Sequence, residues 1–349
     1  MEDSTVIPVN LFSSEKSLLI NIAVFTIYGI IIVLSLVGNT IVILVILRFK
    51  SMQSITNLFI VNLAVSDLLM SLVAAPFTPI AAFFDSWVLP QILCKLLSFT
   101  MGVSVYVSTL TSTAIAVDRY LVIVHPFFSK MRNWMCGTII ATIWAISTLI
   151  CLPLAIHQKI TVDPARNVTI CTESWPQGES RRIFSILSFV FQFVVPSVVI
   201  SFCYFYVSRH LRNRLQQKLG SRLRNAQKQD LEARRHSRTN RMLIAMVVVF
   251  AICWIPLNGL WIYFDIKSTD PEFSLPYFDE VFVPCHIFAM SSAVSNPLLY
   301  AWLSETFRRN FQSLVPCLRA TNVGIPPENP TRRHVESQTK SCDVSERYL

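Results

Sequence analysis

Seven long apolar runs divide the chain and limit the folds that it can adopt. Each run holds about 20 residues or more, which at about 1.5 Å of helical rise per residue is enough to cross a hydrocarbon core about 30 Å thick. The 349 residues are 53% hydrophobic and only 15% charged, which is outside the range of a soluble domain. The sequence therefore predicts an integral membrane protein of the all-α class, a seven-transmembrane helix bundle. The runs are Leu19–Leu47, Asn57–Phe84, Leu93–Ile123, Cys136–Ile156, Ile183–Val207, Met242–Phe264 and Val281–Leu303.

The segments that flank the runs complete the predicted domain organisation. Residues 1–18 are predicted to form an extracellular N-terminus, 19–303 the seven-helix domain, 304–314 an amphipathic eighth helix and 315–349 a flexible cytoplasmic tail. The first segment is polar and lacks the basic start and the short apolar core of a signal peptide. The first helix is therefore expected to serve as its own insertion signal.

The segment after the seventh run has its own amphipathic pattern. Phe307, Phe311 and Leu314 fall on one face of a helix that begins at Ser304. Cys317 follows this segment closely, as expected for an interfacial helix anchored by a palmitoylated cysteine.

The net charge of +9 comes from basic residues in particular loops. The segment Arg209–Arg241, between the fifth and sixth runs, holds eleven Lys or Arg against Asp230 and Glu232. Further basic residues follow the first, third and seventh runs, and all four groups lie on one side if the N-terminus is extracellular. Asn167, in an Asn-Val-Thr sequon between the fourth and fifth runs, would then face the opposite side and is expected to be glycosylated. The basic excess is thus explained by membrane orientation, and no nucleic-acid partner is expected.

Two cysteines share the oxidising side in this topology. Cys94 lies at the outer end of the third run, and Cys171 lies in the loop after the sequon. A disulfide between them is therefore expected. Five other cysteines fall within or at the ends of apolar runs, where a free thiol behaves as a small hydrophobe; they are Cys136, Cys151, Cys203, Cys253 and Cys285.

A polytopic transporter is the alternative class of membrane protein. Seven runs do not divide into two equal repeats, and the halves of the chain have no visible sequence symmetry. Acids and arginines inside the runs are limited to Asp67 and the pair Asp118-Arg119, too few for a chain of ion-binding groups. These residues instead predict local functional sites.

Short motifs occur in order along the runs, and each is weak alone. They are Gly38-Asn39, Asn62 to Asp67, Asp118-Arg119-Tyr120 with His125-Pro126, Trp144, Pro196 with Tyr204, Phe250-x-x-Cys253-Trp254-Ile255-Pro256, and Asn296-Pro297-x-x-Tyr300. With these motifs the chain resembles the rhodopsin-like, or class A, G-protein-coupled receptors along all seven runs. The resemblance implies an extracellular ligand, a heterotrimeric G protein on the cytoplasmic side, arrestin after phosphorylation of the tail, and a multi-pass position in the plasma membrane.

The resemblance also assigns an activation switch. Proline in a helix interior removes a backbone hydrogen bond and kinks the helix, so Pro196, Pro256 and Pro297 are expected to act as joints. Phe250 and Trp254 are four residues apart and share one face of the sixth helix, below the expected ligand cavity. The assigned switch residues are Asp118, Arg119, Tyr120, Tyr204, Phe250, Trp254, Pro256, Asn296, Pro297 and Tyr300.

Two further assignments concern the resting state. Asp67, Ser108 and Asn296 resemble the sodium pocket of the family, in which a carboxylate and neutral oxygens hold a small cation. This allosteric sodium ion is the one cofactor implied. Arg119 is expected to pair with Asp118, whereas the acid that many relatives place at the start of the sixth helix is replaced by His236. Some basal activity would follow.

Residue types narrow the class of ligand. Met101 occupies the position at which amine receptors carry an acid, and the seventh run has no lysine for a retinal Schiff base. The segment between the sixth and seventh runs instead contains five acidic residues and one basic residue, Lys267. This excess of negative charge favours a cationic ligand. These acids are Asp265, Asp270, Glu272, Asp279 and Glu280.

Within the superfamily the chain most resembles the receptors for neuropeptide Y and neuropeptide F, through Cys171 to Pro176, Cys253 to Asn258, Asp265 and His286. In that family the acid that matches Asp265 pairs with an arginine near the amidated end of the peptide, because a guanidinium bonds a carboxylate through two parallel N–H groups. The ligand-binding residues so implied are Met101, Glu173, Asn258, Asp265 and His286.

Met101 departs from the family pattern, which has a glutamine there that helps to hold the peptide amide. A receptor for another Arg-Phe-amide peptide therefore remains an alternative. In either case the chain is expected to be a receptor and not an enzyme, and the resemblance implies coupling to the inhibitory (Gi/o) class of G protein.

Overall fold

The structure is a computed structural model that describes residues 11–84, 86–125, 131–163, 167–176, 178–218, 226–267 and 278–314. Some parts of the chain for which the sequence makes predictions lie outside the described residues. These parts are residues 1–10, Asp270, Glu272, the tail 315–349 with Cys317, and the side chains of His236, Asp279 and Glu280.

Seven helices of the described part are long and apolar enough to cross a membrane, in agreement with the seven runs. We number these spans from one to seven: Leu18–Arg48, Ile55–Ile80, Gln91–Val124, Asn133–His157, Gly178–Asn213, Asn240–Lys267 and Val281–Leu303. The helices themselves are α1 Leu11–Arg48, α2 Ile55–Leu69, α3 Thr78–Phe83, α4 Gln91–Val124, α5 Asn133–His157, α6 Gly178–Phe189, α7 Val195–Lys218, α8 Ala226–Lys267, α9 Phe278–Met290, α10 Ser292–Leu303 and α11 Glu305–Leu314, with short 3₁₀ or π turns at Lys50–Met52, Met70–Ala74 and Val190–Val194.

One short hairpin accompanies the helices. Strand β1, Gln158–Asp163, pairs antiparallel with β2, Val168–Glu173, and both strands contain the β-branched residues that favour extended backbone. Asn167 turns the chain between them with a positive φ of 54°, a conformation that asparagine tolerates better than most residues. Cys171 of β2 is bonded to Cys94 of the third span, which confirms the predicted disulfide. We call the end of the bundle that carries this hairpin the hairpin face, and the other end the opposite face.

Large apolar side chains point outward along the spans, as Leu19, Leu149 and Trp302 do. Lipid tails are as apolar as these side chains, so the interior of a membrane bundle is instead marked by close packing and by polar contacts. Two large apolar clusters fill that interior, one toward the opposite face around Phe59 and Tyr300, and one toward the hairpin face around Trp254.

Helix irregularities occur where the sequence places prolines. A π-helical turn over Val190–Val194 precedes Pro196 in the fifth span, and the seventh span is interrupted at Ser291, before Pro297. Pro297 has no N–H to donate to the carbonyl of Ala293, and the amide of Asn39 donates to that carbonyl over 3.0 Å instead. The side chain of the first span thus satisfies the backbone group that the proline leaves free.

The predicted eighth helix is present as α11. The backbone N–H of Phe307 is capped by the hydroxyl of Ser304 at 3.3 Å, and the Phe307 ring is buried against Tyr300 at 6.3 Å. Phe311 stacks on Phe307, so two residues of the predicted apolar face lie together. Its position at the membrane interface stays a prediction.

The contact between the first and seventh spans generates a test. A Cβ atom added at Gly38 would lie 2.8 Å from Cβ of Pro297, closer than two carbon atoms can pack, and the proline ring cannot move aside by rotating. Gly38→Ala should therefore lower the free energy of unfolding by about 1–3 kcal/mol, the usual cost of overpacking. Thermal unfolding of the purified protein in detergent measures the loss.

Gly29→Ala is the matched control on the same helix, because a Cβ atom there meets no heavy atom within 4 Å. It should leave the unfolding temperature unchanged or slightly raised, since alanine favours a helix over glycine by up to about 1 kcal/mol. Equal losses for the two variants would contradict the close contact.

Candidate receptor site

Charged side chains meet at the hairpin face, where the fifth and sixth spans end. Nε of Arg181 lies 3.0 Å from Oδ1 of Asp265 and 3.6 Å from Oε2 of Glu173. Asp265 is 5% exposed and Arg181 19% exposed, so this ion pair is largely shielded from solvent. We call these three residues the rim cluster. Asp265 and Glu173 were both predicted to bind the ligand, and the structure brings them to the same arginine.

Arg181 was missed by the sequence reasoning, which began the fifth helix at Ile183. The helix begins at Gly178, so Arg181 lies in its first turn and not in a loop. A signal was present: Arg181 and Arg182 are two consecutive cations immediately before the fifth run. Asp265 supplies the ion-pair partner of Arg181.

The hairpin holds Glu173 in the rim cluster. Cys171 is fixed by the disulfide, and Glu173 follows two residues later at the end of β2. The indole N–H of Trp175 donates to Oε2 of Glu173 at 2.8 Å, and the Trp175 ring stacks on His157 with 4.1 Å between centroids. A covalent bond and a stacked, partly buried ring together limit where the Glu173 carboxylate can lie.

A chain of aromatic rings leads from the rim cluster into the bundle. The guanidinium of Arg181 lies 5.5 Å from the ring centre of Phe264, within the range of a cation–π contact. Each following pair of ring centroids is separated by 5.4–6.3 Å, as in ordinary edge or offset packing. The pairs are Phe264–Trp261 at 6.3 Å, Trp261–Phe282 at 5.7 Å, Phe282–His286 at 5.4 Å and His286–Tyr28 at 5.8 Å.

His286, a predicted ligand-binding residue, is 1% exposed. Its Nδ1 and the hydroxyl of Tyr28 form a hydrogen bond of 2.6 Å between the seventh and first spans. A ligand can reach this imidazole only if neighbouring side chains move. In the described structure His286 therefore joins two spans.

The other two predicted ligand-binding residues lie near Trp254. The amide of Asn258 donates to the carbonyl of Trp254 over 2.8 Å, one helical turn below. Met101 is half-buried and packs against the apolar cluster that contains Trp254. Asn258 is thus bonded to the backbone of the aromatic switch, and Met101 borders the same apolar cluster.

The predicted aromatic switch is assembled in the sixth span. Phe250 and Trp254 have ring centroids 6.0 Å apart, and Phe193 of the fifth span lies 6.3 Å from Phe250. The indole N–H of Trp254 donates to the hydroxyl of Ser292 in the seventh span over 3.0 Å. Three spans therefore meet at this pair of rings, close to Pro256, which lies inside the same helix.

Below the switch, two of the three residues predicted to bind sodium are in contact. The amide of Asn296 donates to Oδ2 of Asp67 over 2.8 Å, and Asp67 is 4% exposed. The hydroxyl of Ser108 instead shares a hydrogen bond of 3.1 Å with Ser66. Ser104, one turn from Ser108, has a buried hydroxyl without a hydrogen-bond partner among the described residues. A single carboxylate with hydroxyl and amide oxygens is a donor set that fits sodium.

At the opposite face Arg119 is held by its neighbours. Its Nη2 lies 3.0 Å from Oδ2 of Asp118, as predicted, and also donates to the hydroxyl of Thr56. Thr56 in turn donates to Asp118 over 3.3 Å, so the second span closes a three-membered polar ring. Thr56 was not predicted, because a lone threonine at the start of an apolar run carries no special signal.

Other switch residues lie around this ring. Tyr120 contacts His125 through a 3.2 Å hydrogen bond and packs on Phe202. Tyr204 and Tyr300 are buried in the apolar cluster toward the opposite face, and the Tyr300 hydroxyl has no hydrogen-bond partner among the described residues.

The fifth and sixth spans are joined near the same face. The amide of Asn240 donates to the hydroxyl of Ser208 over a long 3.4 Å, and Asn240 is buried. This is one turn from His236, where the expected acid is missing. A neutral contact of this length restrains the sixth span less than a buried ion pair would.

Comparison with known proteins gives consistent matches. Residues 38–300 match the family described as the 7 transmembrane receptor (rhodopsin family). The neuropeptide Y receptor type 2 of Homo sapiens is 36% identical over 314 residues, which cover 88% of this chain and 80% of that receptor. The neuropeptide F receptor of Drosophila melanogaster is 36% identical over 310 residues, which cover 85% of this chain and 63% of that receptor. The chain thus spans somewhat less than two thirds of the Drosophila protein.

The hydrogen bond between Tyr28 and His286 generates a test of the inner part of the site. Tyr28→Phe removes the hydroxyl and leaves the buried imidazole without that partner, which typically costs about 1–3 kcal/mol. Thermal unfolding should report this loss. Tyr206→Phe is the control, because Tyr206 is a partly exposed ring that packs on other aromatic rings, and it should change stability by less than about 0.5 kcal/mol. An unchanged unfolding temperature in Tyr28→Phe would argue against a structural role for His286.

Proposed function

The chain belongs to the rhodopsin family of seven-transmembrane receptors, and we propose that it is a G-protein-coupled receptor for an amidated peptide of the neuropeptide Y and neuropeptide F class. The family consists of receptors and not of enzymes, in line with the sequence prediction. The observation that carries the ligand class is the rim cluster, in which Asp265 and Glu173 bring two carboxylates to one arginine at the hairpin face.

The rim cluster supports a cationic peptide for a chemical reason. Asp265 is shielded from solvent, and a carboxylate in such a place needs a positive charge nearby. Arg181 provides that charge within the chain as an ion pair at 3.0 Å, so the site accommodates a guanidinium. A peptide arginine has the same group.

The apolar layer beneath the rim cluster supports an aromatic end on the same peptide. Met101 packs against the apolar cluster that contains Trp254, and a flexible thioether suits contacts with aromatic rings. We infer that Met101 faces the last side chain of the peptide, where family members use a glutamine to hold the amide. This feature favours an Arg-Phe-amide peptide as the second candidate within the same class.

Signalling would pass from the aromatic switch to the opposite face. A ligand that displaces Trp254 disturbs its ring contact with Phe250 and its hydrogen bond to Ser292. The missing backbone hydrogen bond at Pro256 would let the lower half of the sixth span swing outward. The Asn240–Ser208 contact would break, and Arg119 would leave Asp118 and Thr56 to meet a G protein. Because the Asn240–Ser208 contact is long and uncharged, it restrains the sixth span weakly, and the receptor should have measurable basal activity.

We further infer the membrane orientation and the cytoplasmic partners. The basic segments favour an extracellular N-terminus and place the hairpin face outside. Asn167 is exposed at the hairpin turn, which suits the proposed glycosylation. Inhibitory (Gi/o) coupling, arrestin binding to a phosphorylated tail and palmitoylation of Cys317 follow from the resemblance to the family.

Agonist-dependent nucleotide exchange tests the proposed function. The purified receptor in lipid nanodiscs, mixed with a Gi heterotrimer, should accelerate GTPγS binding when an amidated peptide ending in Arg-Phe-amide or a neuropeptide Y is added. Asp265→Asn should weaken peptide binding by roughly 25-fold or more, since breaking a shielded charge pair costs about 2 kcal/mol at least. A peptide whose arginine is replaced by citrulline should be insensitive to Asp265→Asn.

Arg119→Ala is the control for the opposite face. It should leave peptide binding within about threefold and abolish nucleotide exchange, because Arg119 lies at the other end of the bundle. Exchange without peptide dependence would contradict the proposal, and peptide-dependent solute flux in sealed vesicles would favour a transporter instead.

We also propose that sodium binds at Asp67, with the Asn296 amide oxygen and the Ser108 hydroxyl as further ligands. If sodium binds the inactive state better, it must lower agonist affinity through the linkage between the two sites. Agonist affinity should therefore be lower in sodium chloride than in choline chloride at equal ionic strength. Asp67→Asn should remove that difference, and a folded Asp67→Asn variant with unchanged sodium sensitivity would disprove the assignment.

A further inference from the structure

Arg181 occupies the position at Asp265 that a ligand guanidinium would need. Its Nε lies 3.0 Å from the Asp265 carboxylate, and the side chain is four-fifths shielded from solvent. We infer that Arg181 is a built-in competitor of the cationic ligand, and that it sets the affinity and the charge selectivity of the receptor. This inference rests on the proposed function, because it concerns the same binding site.

The rim cluster places two carboxylates beside one guanidinium. Glu173 and Asp265 both face Nε of Arg181, at 3.6 Å and 3.0 Å. An incoming guanidinium gives these two carboxylates a second cationic partner, which a neutral ligand does not provide. The cluster therefore favours a cationic ligand over a neutral one.

Displaced Arg181 has a second partner within reach. Glu173 lies 3.6 Å from the same Nε, and the Phe264 ring lies beneath the guanidinium at 5.5 Å. A small rotation could move Arg181 fully onto Glu173, while Asp265 accepts the ligand. Both carboxylates then have one guanidinium each, and neither charge is left unpaired in a shielded place.

This exchange of partners explains how the receptor can select among cationic ligands although Asp265 is already paired before a ligand binds. Before the ligand binds, Asp265 is not a vacant acid, so a lone small cation gains little by replacing a well-placed arginine. A peptide offers further contacts with the hairpin and the apolar layer, and these contacts offset the loss of the internal pair. Arg181 therefore lowers affinity for all cationic ligands but penalises weak ones most.

Chemical rescue tests the inference without a peptide. Arg181→Gln leaves Asp265 without its internal guanidinium and should lower the unfolding midpoint by roughly 2–4 °C. Millimolar L-argininamide should restore the midpoint of Arg181→Gln, whereas citrullinamide should not, and wild type should respond to neither. The double variant Arg181→Gln/Asp265→Asn should show no rescue. Absence of rescue by argininamide in the folded single variant would overturn the inference.

Peptide affinity tests the competition itself. Arg181→Gln should bind a synthetic decapeptide ending in Arg-Phe-amide on the order of tenfold more tightly than wild type does, a gain of about 1.4 kcal/mol. The same decapeptide with citrulline in place of arginine should bind Arg181→Gln and wild type equally. Weaker binding of the arginine peptide, or an equal gain for both peptides, would overturn competition at Asp265.

The neighbouring residue offers a matched control. Arg182 pairs with Glu179 in the same helical turn at 3.1 Å, and Glu179 is 75% exposed whereas Asp265 is 5% exposed. Arg182→Gln removes the same charge from the same turn and should change either affinity by less than about twofold, as exposed pairs do. Arg181→Lys keeps the charge and loses the planar fork, and should fall between wild type and Arg181→Gln. If Arg181→Gln folds poorly, the same affinity measurements can be made on Arg181→Lys.

The two experiments separate the inference from the proposed function. Rescue by argininamide together with failure of the peptides to bind would mean that Arg181 guards a guanidinium site and that the proposed ligand class is wrong. Peptide binding that depends on Asp265, without any gain in Arg181→Gln, would support the proposed function and remove Arg181 as a competitor.

Discussion

Lipid cannot form hydrogen bonds with the chain, and this constraint decides where the polar side chains of the bundle lie. Many of them bond a partner on another span, since an unpaired polar group in hydrocarbon costs several kcal/mol. Asn62 shows the result, because it donates to Thr111 of the third span and accepts from the indole of Trp144 in the fourth. Asn39 and Asn296 link further spans in the same way. The polar groups inside the bundle therefore join the helices as well as serving the proposed switch.

The two ends of the bundle use a similar device for different purposes. At each end an arginine is held by a carboxylate about 3.0 Å away and by a second polar group beside it. Arg119 is paired with Asp118, the preceding residue, whereas Arg181 is paired with a residue of another span. The first pairing can break without separating helices. The second joins the fifth and sixth spans directly, so a ligand that breaks it also loosens their contact.

The sequence was sufficient for features that depend on periodicity or on chemistry with few alternatives. Seven apolar runs predicted seven spans, and two cysteines on one side predicted the disulfide. Asp67 with Asn296, Phe250 with Trp254, and Asp118 with Arg119 are in contact where the family pattern placed them. What the sequence did not predict were partners far apart along the chain, such as Thr56 for Arg119, Arg181 for Asp265 and Tyr28 for His286. Such pairs depend on how helices are rotated against each other, which no local pattern specifies.

The π-helical turn at Val190–Val194 determines one of these rotations. An α-helix advances by about 100° per residue, so one additional residue in a turn rotates everything beyond it by that angle relative to the part below. Arg181 lies on the far side of this turn from Tyr204, which packs in the core. The two halves of the fifth span are thus rotated relative to each other about the helix axis. Packing in the core fixes the direction of the lower half, and contacts at the hairpin face fix the direction of the upper half. Loss of a single residue from the turn would leave the lower half in place and turn Arg181 away from Asp265 by about a quarter of a revolution.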